Sequence, residues 1–206
     1  MRKLLVSVFF VLGLSSNAQT IQLPAPDLNS SSKSFFQVLS QRKSERSFSN
    51  IVINDATLST ILWSACGINR PEEKKITAPS AINAQDILVY VCRADGAYLY
   101  HPIDNTLEKV SDLDLRKAVA GNQTFAAEAP VSLIMVSDGV KFRHGNAETI
   151  GMIDAGYVSE NICLACTALG LATVPRMSMD KETLKKELHL TDKQILILNN
   201  PIGFPK

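Results

Sequence analysis

The chain has 206 residues, of which 46% are hydrophobic and 20% charged, and its formal net charge is +1. This is ordinary for a globular protein with room for one well-filled core, and with no polybasic run it gives no basis for a nucleic-acid surface. Four cysteines in a chain of this length are not needed as staples.

In chain order, the first predicted element is a targeting segment. Met1, Arg2 and Lys3 precede an apolar run from Leu4 to Leu14, and small residues follow at Ser16 and Ala18. That order of charge, apolar stretch and small residues predicts a secretory signal peptide over 1–18, cleaved after Ala18. The run is shorter than the roughly 20 residues a membrane span needs, and no cysteine follows it, so no stable membrane anchor is expected. Export leaves residues 19–206 with 19 basic against 20 acidic residues once Arg2 and Lys3 are gone.

Residues 19–33 are rich in Pro, Ser and Asn and predict an extended arm. Ser34 then caps a short helix over 34–41, and Asn54 or Asp55 caps a second, whose apolar face carries Leu58, Ile61, Leu62 and Ala65. Gly67 stands where a C′ glycine ends a helix, and 68–85 predicts a surface or site loop. Trp63 reads as a packing residue.

At Ile87 the period changes. ILVYVC over 87–92 predicts a buried strand, Asp95-Gly96 a hairpin turn, and Thr106–Val110 a third strand of a meander. A helix near 112–120 and a buried strand over 131–136 follow. The longest helix spans about 148–169, and its apolar residues run all the way round, so it is expected to be buried on every side, centrally or across a subunit interface. Within it, Asp154 and Glu160 stand out as charges needing partners. A short strand at 171–174, a helix at 180–188 and a last strand at 194–198 complete the chain. Helices and meandering strands without regular βαβ repeats define an α+β fold, a mostly antiparallel sheet flanked by helices.

Cys163 and Cys166 form a CxxC, but in mid-helix they lack the loop-to-helix start that activates such thiols. They are expected to be buried structural thiols, with a bridge or redox pair as the alternative. His101, His144 and His189 are scattered without metal-ligand spacing, so no metal site is expected. Asn122-Gln123-Thr124 matches a glycosylation sequon, a weak signal alone.

Five segments could carry chemistry. Arg42-Lys43-Ser44-Glu45-Arg46 puts three cations and a hydroxyl between two helices, which suits an anion. Thr77-Ala78-Pro79-Ser80-Ala81 with Asn83 offers small residues and an amide before a buried strand. Gly121-Asn122-Gln123, the stretch from Leu169 to Asp180, and Pro201 to Lys206 are the others.

Taken in order, these segments resemble the nitroreductase family, most closely its thiazoline-oxidase-like subgroup. The likeness rests on R-x-S-x-R-x-F at Arg42, Ser44, Arg46 and Phe48, on G-I-N-R at Gly67 to Arg70, and on T-A-P-S-A at Thr77 to Ala81. It covers about residues 34–206, with 34–206 as the expected domain. The resemblance implies a homodimer with FMN at its interface. It assigns the phosphate and ribityl chain to Arg42, Ser44 and Arg46, and contacts from the neighbouring subunit to Pro79, Ser80, Ala81 and Asn83. The pyrimidine edge falls to Asn122 or Gln123, the surroundings of N5 to Pro175, Arg176, Met177 and Ser178, and Lys206 is a further phosphate candidate.

The implied activity is two-electron transfer through flavin N5 to or from a small conjugated, nitroaromatic-like or quinone-like molecule, with no protein acid or base assigned. Relatives also suggest oxidation of a peptide-derived heterocycle, dehalogenation, or flavin binding without turnover. An exported protein is poorly supplied with nicotinamide dinucleotides, so the electron donor is left open.

Overall fold

The computed structural model describes residues 19–143 and 146–206; the expected signal peptide and His144 lie outside the described residues. Seven strands, β1 (Thr20–Gln22), β4 (Ile87–Arg93), β5 (Gly96–His101), β6 (Thr106–Ser111), β7 (Val131–Asp138), β8 (Ala172–Thr173) and β9 (Gln194–Gly203), form one sheet in the order β1-β6-β5-β4-β7-β9-β8, and every pairing is antiparallel. Its centre is β4 (Ile87–Arg93) and β7 (Val131–Asp138), which pair from Ile87↔Ser137 to Cys92↔Ser132. Their sequences read as continuous apolar runs because both faces are covered by helices. Val89, Val91, Leu133 and Met135 face one way, against Leu58, Ile61 and Leu62 of α2 (Asp55–Cys66) and Ala155, Val158 and Ile162 of α4 (Ala147–Ala168). Tyr90, Cys92, Ile134 and Val136 face the other way, against Val119 of α3 (Arg116–Ala120) and Leu184 of α5 (Lys181–Glu187). The two-residue side-chain period of a strand thus sorts one apolar run into two cores.

The α+β class and antiparallel sheet are as expected. α1 (Phe35–Gln41) starts at a capping box, with the Ser34 hydroxyl accepting from the Gln37 N–H and the Gln37 side chain accepting from the Ser34 N–H. Asn54, rather than Asp55, caps α2. Gly67 ends α2 but in an extended conformation (φ −72°, ψ 161°), not as a left-handed C′ residue. Glycine is needed there for space, since a Cβ would lie 2.4 Å from the Trp63 ring. The Trp63 indole N–H donates to the Ile68 carbonyl at 3.0 Å, so this side chain secures the turn.

Several boundaries differ from expectation. The arm contributes a short edge strand, β1 (Thr20–Gln22), paired with β6 (Thr106–Ser111). Residues 68–85 are not all loop, because β2 (Ile68–Arg70) and β3 (Lys75–Ile76) make a small separate hairpin. In the β4–β5 hairpin Arg93 pairs with Gly96, so the turn is Ala94-Asp95 and Gly96 opens β5 (Gly96–His101). That glycine lets β6 approach, since its Cβ would meet the Ser111 carbonyl oxygen at 2.5 Å.

Beyond β8 (Ala172–Thr173), β9 runs over Gln194–Gly203, past the expected end at 198. Asn199 and Asn200, which suggest a turn, are fully buried and fully engaged within the strand. All four cysteines are buried free thiols; burial pushes Cys66 and Cys92 up to about 12 and Cys163 up to about 11.

Of the two placements expected for α4, full burial at the centre of the single chain does not hold. One side packs on the sheet, but Met152, Ile153 and Tyr157 are 41%, 54% and 47% exposed in the single chain. α1 also exposes Phe35, Phe36 and Leu39. The helix is apolar all round, yet only one of its two sides is covered.

Candidate functional site

After α1 the chain doubles back along the end of the sheet. The Glu45 N–H donates to Thr173 O at 3.0 Å, the Ser49 N–H to Phe204 O at 2.8 Å, and Phe48, fully buried, bridges to Pro205. Anchored this way, the segment leaves Arg42 half-buried and Ser44 and Arg46 exposed. Lys43 is spent on Glu45 at 2.7 Å, and this lysine holds the Glu45 carboxyl below its usual range. The only acid in the motif is therefore neutralised within it.

Residues 174–178 run beside this segment. The Arg176 backbone exchanges two hydrogen bonds with Asn199, at 2.8 and 2.7 Å. Its guanidinium, on a residue only 6% exposed, turns inward. Nε donates to Gln123 Oε1 (2.8 Å), Nη1 to Asn199 Oδ1 (2.8 Å) and Val119 O (3.2 Å), and Nη2 to Ala120 O (2.7 Å). The two carbonyls are among those that the C-terminus of α3 cannot satisfy itself. The guanidinium also lies 5.5 Å from the Phe125 ring centre, within cation–π range. Ser178 Oγ donates to Asn122 Oδ1 at 3.0 Å.

These segments enclose a cleft of about 370 Å³ lined by Arg46, Gln123, Phe125, Val174, Pro175, Arg176, Met177 and Ser178. Six of the residues singled out from sequence thus meet in one place, with Asn122 adjoining through Ser178. Two arginines line the cleft and no acid does. A larger cleft of about 660 Å³ at the start of α2 contains none of them. Its charges are already matched, Arg93 to Asp55 and Asp95, Arg116 to Asp114, and Glu128 to Lys206. Lys206, placed from sequence near a phosphate, is held here by Glu128 at 2.6 Å.

Pro79, Ser80, Ala81 and Asn83 do not line the small cleft. They form a loop leaning on α4, where the Ala81 N–H donates to the Asp154 carboxylate at 3.0 and 3.2 Å. Ser80 Oγ accepts from the Gln85 N–H at 2.9 Å. Ile82, Asn83 and Gln85 all have positive φ (50°, 56° and 48°), a sparsely populated region for residues other than glycine and costly for a β-branched one. Ile82 is also 85% exposed. Beneath the loop, Asp86 is fully buried; its Oδ2 accepts from the Ser137 hydroxyl at 2.7 Å, while Oδ1 has no donor. Burial first, and the adjoining Asp154 carboxyl as well, push Asp86 up to about 6.

The resemblance assigned Pro175, Arg176, Met177 and Ser178 through their backbone N–H groups and missed what the Arg176 side chain does. It also missed Asp86 and Asn199. Asp154 was visible as a charge in an apolar helix; Asp86 hides at the start of a strand, where an acid reads as loop.

The nitroreductase family model matches residues 39–203. The chain is similar to the crystal structure of a candidate nitroreductase from Ralstonia eutropha, with 33% identity over 91% of this chain and 90% of that one and a TM-score of 0.84. It is also similar to a candidate nitroreductase of Methanocaldococcus jannaschii, 25% identical over 204 residues that cover 89% of this chain and 96% of the relative. A candidate NADH oxidase from Clostridium acetobutylicum, 17% identical over 82% of this chain and 87% of that one, shares the fold with a TM-score of 0.60.

Proposed function

This chain belongs to the nitroreductase family of oxidoreductases, and from that premise we propose that it is an exported, homodimeric, FMN-dependent oxidoreductase. The observation that carries the reading is the acid-free cleft bordered by Arg46, Gln123 and Arg176. FMN needs cations for a phosphate dianion, an amide for the edge of a polar ring, and a donor near N5, and the residues present fit those needs. Arg42, Ser44 and Arg46 would hold the phosphate and ribityl chain, two guanidinium forks and a hydroxyl matching its oxygens. Gln123 and Asn122 would meet the pyrimidine edge. Among the described residues the Met177 and Ser178 N–H groups donate to no protein acceptor, which leaves them for a ligand.

Bound FMN would supply two-electron chemistry at N5, taking a hydride equivalent (two electrons and a proton) from a donor and passing it to a small conjugated, nitroaromatic-like or quinone-like acceptor. The protein's share is to bind, orient and bias that ring.

The open apolar side of α4 and α1 supports a homodimer, since a patch of this kind marks an interaction surface. The strained Pro79–Gln85 loop leans on α4, and we assign Pro79, Ser80, Ala81 and Asn83 to the partner's flavin. The sequence of residues 1–18 supports export, and the electron donor is left open. The test is direct. Protein comprising residues 19–206, purified and supplied with FMN, is expected to retain visible flavin absorbance that dithionite bleaches and a quinone or nitro compound restores. A colourless protein that takes up no FMN contradicts the proposal.

A further inference from the structure

Arg176 is a buried charge that the fold leaves unbalanced. Its four acceptors, Gln123 Oε1, Asn199 Oδ1 and the Val119 and Ala120 carbonyls, are all neutral. A guanidinium does not give up its proton in proteins, and burying an ion without its opposite is expensive. Nor does the adjoining cleft supply an acid, its other charged lining residue being Arg46. Among the described residues, then, no acid is paired with this charge.

The same guanidinium fixes how Gln123 is presented. Nε–H can only donate, so the atom facing it 2.8 Å away is the amide oxygen, whichever way the amide is drawn. The Gln123 amino group must turn away from Arg176, and among the described residues it has no protein partner. Gln123 is exposed and lines the cleft, so it offers a donor there and not an acceptor. Accepting from a cation polarises the amide and strengthens its N–H as a donor. Asn199 is oriented by the same rule, its oxygen on Arg176 and its amino group on Ser178 O at 3.1 Å.

We propose that Arg176 is a positioning residue which, through Gln123, makes the cleft bind the electron-rich reduced form of its ring more tightly than the oxidised form. This rests on the FMN reading above and adds to it which redox state the site favours and why. A tenfold preference between the two forms corresponds to about 30 mV for a two-electron couple.

The experiment is a potentiometric titration of FMN-loaded wild type, Gln123→Leu, Gln123→Glu and Arg176→Met, with unfolding curves for the apo forms. Gln123→Leu is expected to lower the midpoint potential by about 30 mV, a tenfold loss of preference for the reduced ring. Gln123→Glu is expected to lower it further and, by giving Arg176 the missing counter-charge, to raise apo stability. Arg176→Met, where it folds, is expected to match Gln123→Leu, with no added shift in the double variant. An unchanged potential in both Gln123 variants overturns the inference while leaving FMN binding intact, as does an apo Gln123→Glu protein less stable than wild type. Wild type that binds no FMN overturns both readings.

Discussion

Asp86 has one oxygen on Ser137 and another, fully buried, with no donor. Its other neighbour is Asp154, itself buried and accepting from the Ala81 N–H. Burial first, and the neighbouring Asp154 carboxyl as well, favour the protonated form of Asp86. The sign of the pH effect follows. Asp86 holds its proton up to about pH 6 in the fold, above the ordinary value of 3.8. The folded state therefore binds more protons through that window, and this group's contribution to stability falls as pH rises from about 4 to 6. Asp86→Asn puts a permanent N–H donor beside Asp154. It is expected to flatten this part of the stability profile and to gain about 1–2 kcal/mol over wild type at pH 7, read from urea unfolding at pH 4 and pH 7. Parallel profiles for the two proteins would contradict a protonated, buried Asp86 in the fold.

Among the elements, α4 carries the most consequence. Gly151, Asp154, Ala155, Val158 and Ile162 lie on its covered side, while Met152, Ile153 and Tyr157 lie on its open one. A helix with apolar residues all round must be covered all round, and one chain covers half of it. The sequence showed that requirement but not which residues the single chain leaves open, because periodicity is silent when apolar positions run all the way round. Boundaries were lost for a related reason. The strand was expected to end before Asn199 and Asn200, and partners remote in the chain, among them Arg176, Ser178, Ser159 and Thr173, make these amides acceptable inside β9. Gly67 was rightly placed at a helix end, yet for space beside Trp63 and not for a left-handed turn. Under the proposed homodimer, wild type is expected to elute on sizing as a dimer and Ile153→Asp with Tyr157→Asp as a folded monomer. Each buried apolar side chain is worth about 1.5–3 kcal/mol, so the pair should weaken association by at least about a hundredfold. A variant that elutes with wild type would place the interface elsewhere.

At the scale of the molecule, a sheet covered on both faces brings remote segments to one end. The antiparallel class and most elements were legible, since β4 and β7 are long apolar runs and α1, α2 and α5 carry polar caps at Ser34, Asn54 and Asp180. The cleft was legible only as separate motifs. No local pattern says that Arg46 meets Gln123 and Arg176; the register of β9 against β7 and the Arg176–Asn199 bridge bring them together. Nor could composition show that Arg176 turns inward, because a side chain's direction depends on acceptors from α3 and β9. Under the proposed function Arg42 and Arg46, which unlike Lys43 and Lys206 form no ion pair among the described residues, hold the phosphate of FMN. Equilibrium titration of FMN into wild type and Arg42→Ala/Arg46→Ala tests it most directly. Losing two charge-assisted grips of about 1.5–3 kcal/mol each should weaken binding by at least roughly a hundredfold while the unfolding curve stays in place. Equal affinity in the two proteins would contradict the account.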